Sequence, residues 1–151
     1  MKLDEAGEKF ITEFEGFSDR PYYATEEERK KGIVTIGFGN TFYPDGKKVK
    51  ITDRQISREE AYQMFRHIVK KFCDTVNSKI KVPITQNQFN ALVSHTYNTG
   101  GSNTLFSLVN KKADKKSIEK WFTERYITQN KEVVKGLVRR RKAECDLYFK
   151  K

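Results

Sequence analysis

The sequence predicts an α+β fold, with a small N-terminal lobe that carries a short antiparallel sheet and a larger helical C-terminal lobe. Its 151 residues, 36% of them hydrophobic, suit one domain with a buried core. Short β-prone segments lie between turn residues up to about residue 51, whereas helical spacing of apolar residues dominates from residue 57. We therefore expect a single domain over 1–151, with a sheet-bearing lobe at about 13–56 and a helical lobe at 57–151 on which the N-terminal helix packs.

The first element is predicted to be a helix that ends near Gly16. Apolar residues recur on one helical face at Leu3, Ala6, Phe10, Ile11 and Phe14. A glycine directly after Glu15 is a suitable C-terminal stop, because glycine readily adopts the left-handed backbone conformation that ends many helices.

Three short segments then predict strands, at residues 22–23, 33–39 and 49–51. The residues between them are typical of turns, namely Gly32, Asn40 and the run Pro44-Asp45-Gly46. This alternation predicts a small antiparallel sheet.

Two capping-box patterns mark the start of helices in the second lobe. Ser57 precedes Glu60 by three residues, and an apolar stripe follows over residues 61–76. Thr85 precedes Gln88 in the same way, and the helix that follows is predicted to end at residues 98–101. Further helical patterns lie near residues 105–109 and 117–125, and a last one at about 131–149.

The charge distribution is uneven and restricts the function classes. Residues 1–75 have 14 basic and 14 acidic side chains, whereas residues 76–151 have 16 and 6, so the whole excess of +10 lies in the second half. Such a surface attracts polyanions, but no nucleic-acid-binding motif accompanies it, which disfavours a nucleic-acid-binding protein. No apolar run approaches the ~20 residues of a membrane span. The N-terminus also has no signal-peptide core, so we expect synthesis and accumulation in a cytoplasm.

The two cysteines, Cys73 and Cys145, are far apart in the sequence and belong to no C-x-x-C pair. Both occupy apolar positions of helical patterns, so we predict buried free thiols. No spacing of metal ligands occurs in the sequence, and neither a metal site nor a cofactor is expected.

Glu15 is the first candidate for acid–base chemistry. It ends a helix, where the negative end of the helix dipole disfavours a carboxylate, and it has Phe14 and Phe17 as near neighbours. Both effects favour the protonated form that a general acid needs. The alternative for an isolated glutamate is an ordinary surface charge.

The surrounding motifs resemble those of the phage-type lysozymes, glycoside hydrolase family 24. They are E-G-F-S-D-R-P-Y-Y, V-T-I-G-F-G-N-T, V-P-I-T-Q-N-Q-F-N-A-L-V-S, Y-N-T-G and K-G-L-V-R-R-R-K-A-E, and together they span nearly the whole chain in the family's order. The resemblance implies a lysozyme-like fold with a sugar-binding cleft between the lobes. It also implies hydrolysis of the β-1,4 bond between N-acetylmuramic acid and N-acetylglucosamine in peptidoglycan, used to lyse bacteria.

The resemblance also assigns site residues. Glu15 aligns with the family's proton donor and Thr35 with its catalytic threonine, but Ala24 stands where the family has an aspartate. Glu26, Glu27 and Glu28 are candidates to replace that acid, with Glu26 the first of them. The alternatives are an exposed charged turn at these glutamates, catalysis by Glu15 with a water held by Thr35, a binding protein that does not cut, and a deliberately substituted chain.

Three further residues are candidates for sugar binding. Phe38 and Asn40 follow the T-I-G motif, and Asn98 belongs to the Y-N-T-G motif. The alternatives are a core position for Phe38 and a helix-capping role for Asn98. The resemblance further implies a monomer whose partner is the peptidoglycan glycan strand, with no nucleic acid and no stable membrane insertion, and which acts on the wall after leaving the host cytoplasm. The alternative function is a peptidoglycan-binding lysozyme-like protein with an impaired active site.

Overall fold

The computed structural model describes all residues, 1–151, and has seven helices and two two-stranded antiparallel sheets. The predicted mixed helical fold with a small antiparallel sheet is confirmed. The chain forms two compact units, which we call the N-terminal unit, Ile11–Lys70, and the C-terminal unit, Met1–Phe10 with Lys71–Lys151. None of the helices is both long enough and apolar enough to cross a membrane.

The elements follow one another along the chain in a mainly helical order. The helices are α1 Glu5–Glu15, α2 Glu26–Lys31, α3 Arg58–Lys79, α4 Gln86–Thr99, α5 Asn103–Asn110, α6 Lys115–Glu124 and α7 Lys135–Tyr148. The strands are β1 Ser18–Tyr22, β2 Thr35–Gly37, β3 Thr128–Gln129 and β4 Glu132–Val133.

The sheet of the N-terminal unit is smaller than predicted. Strand β1 pairs with β2 in an antiparallel register that places Tyr22 opposite Thr35. The expected strand at 49–51 is wrong: Val49 is buried and donates its N–H to the carbonyl of Thr41, but the following residues turn, with Asp53 donating to the carbonyl of Lys50. Val49 therefore packs in the core, whereas Ile51 is exposed in the turn.

Helix α2 occupies the segment that the sequence analysis treats as a charged turn. This helix buries no residue, so its sequence has no apolar periodicity from which a helix could be predicted. It forms because Thr25 caps its N-terminus, its first turn is acidic and its last turn is basic, which complements the helix dipole. Gly32, in the left-handed conformation with φ +70°, ends it.

The C-terminal unit is built around α4, whose residues from Phe89 to Thr96 are all buried. Both capping boxes predicted for the helical part of the chain are present, at Thr85 and Gln88 and at Ser57 and Glu60. The last helix begins at residue 135 and not at about 131, because residues 128–133 form the β3–β4 hairpin.

A buried ion-pair network lies between α4 and α7. The Glu144 carboxylate is fully buried and lies 2.8 Å from Nη1 of Arg141 and 3.2 Å from Nε of Arg140. The Ser94 hydroxyl donates to its Oε2 at 2.5 Å. Two guanidinium groups and one hydroxyl therefore compensate the charge of this buried carboxylate.

Two further buried groups of this unit have strongly shifted pKa values. His95 packs edge-on to the rings of Phe122 and Tyr126, and burial lowers its pKa to about 3, with a smaller contribution from the nearby arginines. Cys145 is a buried free thiol, as is Cys73, and burial raises the pKa of Cys145 to about 11. The prediction of buried free thiols is confirmed.

Candidate active site

Glu15 is the last residue of α1 and is partly buried. Gly16 follows with φ +71° and donates its N–H to the carbonyl of Thr12. The helix therefore stops at Glu15 as predicted, and β1 begins two residues after Gly16. This arrangement fixes the backbone of the carboxylate at the junction of a helix and a sheet.

The loop after β2 lies directly over the Glu15 carboxylate. A Cβ atom placed on Gly39 would lie 2.8 Å from Oε1 of Glu15, and Gly39 has φ +81°. Both the close approach and the backbone conformation therefore require glycine at this position. The second glycine of the motif T-I-G-F-G is explained by the space that Glu15 needs.

Thr35 and Tyr22 form the strand pair beside this carboxylate. Thr35 is 6% exposed, and the backbone of Tyr22 faces it across the sheet. Burial raises the pKa of the Tyr22 phenol, and the charges of Glu28 and then Glu15 raise it further. The phenol thus lies within electrostatic reach of two carboxylates.

The three glutamates of α2 have different surroundings. Glu26 is exposed in the first turn, and Glu27 pairs with Lys31 at 3.1 Å on the surface. Glu28 is partly buried, and its Oε2 is shielded from solvent without a hydrogen-bond partner. The structure therefore brings Glu28, and not Glu26, toward Tyr22.

The candidate sugar-binding residues are found in contrasting environments. Phe38 is 2% exposed and packs on the rings of Phe17 and Tyr62, so it belongs to the core of the N-terminal unit. Asn40 is also buried and exchanges backbone hydrogen bonds with Ile36. Asn98 lies in the C-terminal unit, is exposed, and accepts a hydrogen bond from Arg141 on its Oδ1.

The arrangement suits proton transfer by carboxylates. The charges of Glu15 and Glu28 both act on the Tyr22 phenol, and Thr35 is the strand partner of Tyr22. No group of three or more His, Cys, Asp or Glu side chains is placed to hold a metal ion. The sequence patterns do not identify Tyr22 and Gly39 as site residues, and they do not distinguish Glu28 from Glu26 and Glu27.

Comparison with known proteins identifies the family. A family model described as phage lysozyme matches residues 12–144. The chain belongs to the phage lysozyme family. The endolysin of Bacillus phage B103 is 33% identical over 153 residues, which are 99% of this chain and 54% of that protein. The endolysin of Bacillus phage PZA is 34% identical, over 98% of this chain and 55% of that protein. The chain thus spans about half the length of these phage lysozyme relatives.

Two solved structures agree with the fold. An endolysin from Escherichia coli O157:H7 phage FAHEc1 is 34% identical and matches with a TM-score of 0.86, over 99% of this chain and 94% of that one. The muramidase domain of SpmX from Asticaccaulis excentricus matches with a TM-score of 0.80 at 24% identity, which supports the phage lysozyme fold alone.

Proposed function

We propose that this member of the phage lysozyme family is a muramidase. It hydrolyses the β-1,4 bond between N-acetylmuramic acid and N-acetylglucosamine in peptidoglycan. The observation that carries the proposal is the Glu15 carboxylate held at the end of α1 beneath Gly39, in the unit that also contains Thr35. The full-length match to a phage endolysin structure supports the same activity.

Glu15 acts as the general acid. It donates its proton to the glycosidic oxygen as the bond from that oxygen to the anomeric carbon breaks, and a water oxygen forms the new bond to the same carbon. Thr35 orients that water through its hydroxyl. No cofactor enters this reaction, because proton transfer and charge stabilisation suffice for glycoside hydrolysis.

The charge of the chain supports a cell-wall substrate. All of the +10 net charge lies in residues 76–151, which attracts anionic wall material over a distance set by ionic strength. We propose that the protein works as a monomer on the glycan strands after release from the host cytoplasm. Asn98 contributes to sugar binding through its amide nitrogen, since its Oδ1 is held by Arg141.

A role in binding without cleavage is not favoured. It rests on Ala24, which is exposed and places no carboxylate beside Glu15. The two Bacillus phage relatives and the phage FAHEc1 structure, which match the chain over nearly all of its length, are named endolysins.

Analysis of digestion products tests the proposal. Purified peptidoglycan is digested with the parent protein, with Glu15→Gln and with Glu5→Gln, an exposed residue of the same helix. We expect disaccharide-peptides with reducing N-acetylmuramic acid from the parent and Glu5→Gln, and at least about 1,000-fold slower release from Glu15→Gln, since loss of a general acid removes a major part of the catalysis.

Two results contradict the muramidase. Products with reducing N-acetylglucosamine would assign a different glycosidic bond. A parent protein that sediments with the wall but releases no saccharide would establish binding alone.

A further inference from the structure

We propose that Glu28 is the second carboxylate of the active site and replaces the acid that is missing at Ala24. The inference rests on the proposed glycosidase function and assigns the residue that takes the proton of the attacking water. It is carried by the side chain of Glu28, whose conformation departs from the one that its own helix favours.

Glu28 occupies the third position of α2, where a glutamate ordinarily completes a capping box. At Ser57 the Glu60 side chain accepts the return bond from the cap N–H, and at Thr85 the Gln88 side chain does the same. Thr25 accepts the Glu28 N–H in the same way, but the cap at Thr25 has no return bond from Glu28. Of three equivalent helix starts, α2 alone lacks its second bond.

The carboxylate of Glu28 is instead turned inward. Its Oε2 is shielded from solvent and has no hydrogen-bond partner in the protein. Leaving a charged oxygen in this state costs about 1–3 kcal/mol or more, so structural selection alone would favour the cap. A buried acceptor held without a protein partner is a position at which a water or substrate hydroxyl can donate.

The charge of Glu28 acts on a residue of the strand pair that contains Thr35. It raises the pKa of the Tyr22 phenol, as the charge of Glu15 also does. Tyr22 in turn faces Thr35 across the strand pair. Glu28 therefore shares one environment with the two residues assigned to the reaction, whereas Glu27 is paired with Lys31 at the surface.

Helix α2 holds this carboxylate in place. Thr25 caps its start, and at its end the N–H of Gly32 donates to the Arg29 carbonyl while that of Ile33 donates to the Glu28 carbonyl. These bonds close the short helix at both ends. Glu28 lies four residues beyond Ala24, in the first turn of the helix. A short helix that is capped at both ends thus positions the Glu28 carboxylate, whereas Ala24 after strand β1 provides none.

The chemistry balances as a single displacement. The water oxygen bonds to the anomeric carbon, and its proton passes to the Glu28 carboxylate. The bond from the anomeric carbon to the glycosidic oxygen breaks, and that oxygen takes the proton of Glu15. The two carboxyl groups then exchange protons with solvent, which restores Glu15 as acid and Glu28 as base.

Steady-state kinetics on soluble, uncross-linked peptidoglycan strands test the assignment. For Glu28→Gln we expect kcat to fall by about 100-fold or more, with KM within about threefold of the parent, because a general base contributes about 10²–10⁴ in rate. Glu26→Gln and Glu27→Gln are the matched controls on the same helix and should retain kcat within about twofold. The double variant Ala24→Asp/Glu28→Gln should recover at least about tenfold of the lost kcat.

The outcomes separate this inference from the proposed function. A parent protein without activity overturns the muramidase itself. An active parent whose Glu28→Gln variant keeps kcat within about tenfold overturns only the role of Glu28, as does a lost kcat that Ala24→Asp leaves unrestored. If Glu28→Gln does not fold, Glu28→Asp decides, because it keeps the charge on a shorter side chain: a fall of about tenfold in kcat is expected, and an unchanged kcat refutes the role.

Discussion

Two carboxylates withdrawn from solvent, Glu144 and Glu28, have opposite surroundings. Glu144 in the C-terminal unit is fully buried and contacts Arg140, Arg141 and Ser94. The Oε2 of Glu28 in the N-terminal unit is also shielded from solvent, yet it has no hydrogen-bond partner. Two ion pairs and a hydroxyl compensate the charge of Glu144, whereas the shielded oxygen of Glu28 has no partner in the protein.

The difference separates stability from reactivity. A carboxylate whose oxygens are filled by guanidinium and hydroxyl donors holds two helices together and has no capacity left for substrate. A carboxylate with an unfilled oxygen contributes little to folding but is able to accept a proton or a hydrogen bond. Substitutions at the two residues should therefore affect different measurements.

The largest expected effect is on the stability of the network. Glu144→Gln leaves two buried guanidinium groups without their counter-charge, so we expect the free energy of unfolding in urea to fall by about 3–5 kcal/mol. The matched control is Glu28→Gln, which breaks no hydrogen bond of its side chain and should not lower the same quantity by more than about 0.5 kcal/mol. Equal losses for the two variants would show that the contrast between the carboxylates has no energetic basis.

A smaller loss of stability is expected at low pH, caused by His95, which lies beside the same network. Folding lowers the pKa of His95 from 6.5 to about 3. Below pH 6.5 the imidazole is therefore protonated in the unfolded chain but stays neutral in the folded protein. Stability is therefore complete above pH 6.5 and is lost as the pH falls toward 3, by about 2–3 kcal/mol at pH 4.5.

Urea unfolding at pH 7.5 and pH 4.5 measures this loss. The pH-dependent loss should shrink by about that amount in His95→Gln, and it should persist in His67→Gln, since His67 is exposed. A His95→Gln variant as acid-sensitive as the parent would assign the acid loss to other groups.

The smallest effect on stability is expected for a substitution at Gly39, and its main effect should be on kcat. Gly39→Ala forces a left-handed backbone on alanine, at a cost of about 1–2 kcal/mol, and places its Cβ against the Glu15 carboxylate. We expect kcat to fall by about tenfold, because the general acid is displaced.

Gly46→Ala is the control for this displacement. Gly46 has φ +89°, and a Cβ there meets no atom within 4 Å. A similar stability loss with unchanged kcat is expected for this variant. A comparable loss of kcat in both variants would contradict a specific effect on Glu15.

Helices with strong local signals were predictable from the sequence. Starts at Ser57 and Thr85 follow from side chains that satisfy backbone donors within three residues, which depends on nothing distant. The strand predicted at 49–51 is wrong because two β-branched residues at alternate positions are typical of a strand, whereas here only Val49 is buried and Ile51 lies exposed in a turn. The β3–β4 hairpin at 128–133 has no apolar alternation, so the sequence does not predict it, and the predicted last helix overlaps its second strand.

The site was predictable only where a motif fixed it. Glu15 and Thr35 were named from the sequence, and the structure places both in the N-terminal unit. Glu28 was not separable from Glu26 and Glu27, because which of three consecutive glutamates turns inward depends on the rotation of a helix that has no apolar face. The pattern of Thr25 three residues before Glu28 was the available signal for that helix, since it matches the other two caps.

The positions of the thiols give the molecule an uneven set of chemical reporters. Both cysteines belong to the C-terminal unit, and residues 11–70 contain none. Because burial raises the pKa of Cys145 to about 11, its reactive thiolate is scarce at neutral pH until the helices around it separate. Labelling by a disulfide reagent would therefore time the opening of the unit that holds the ion-pair network. Opening of the N-terminal unit, which contains Glu15 and Glu28, would not be detected by this reagent because that unit has no cysteine.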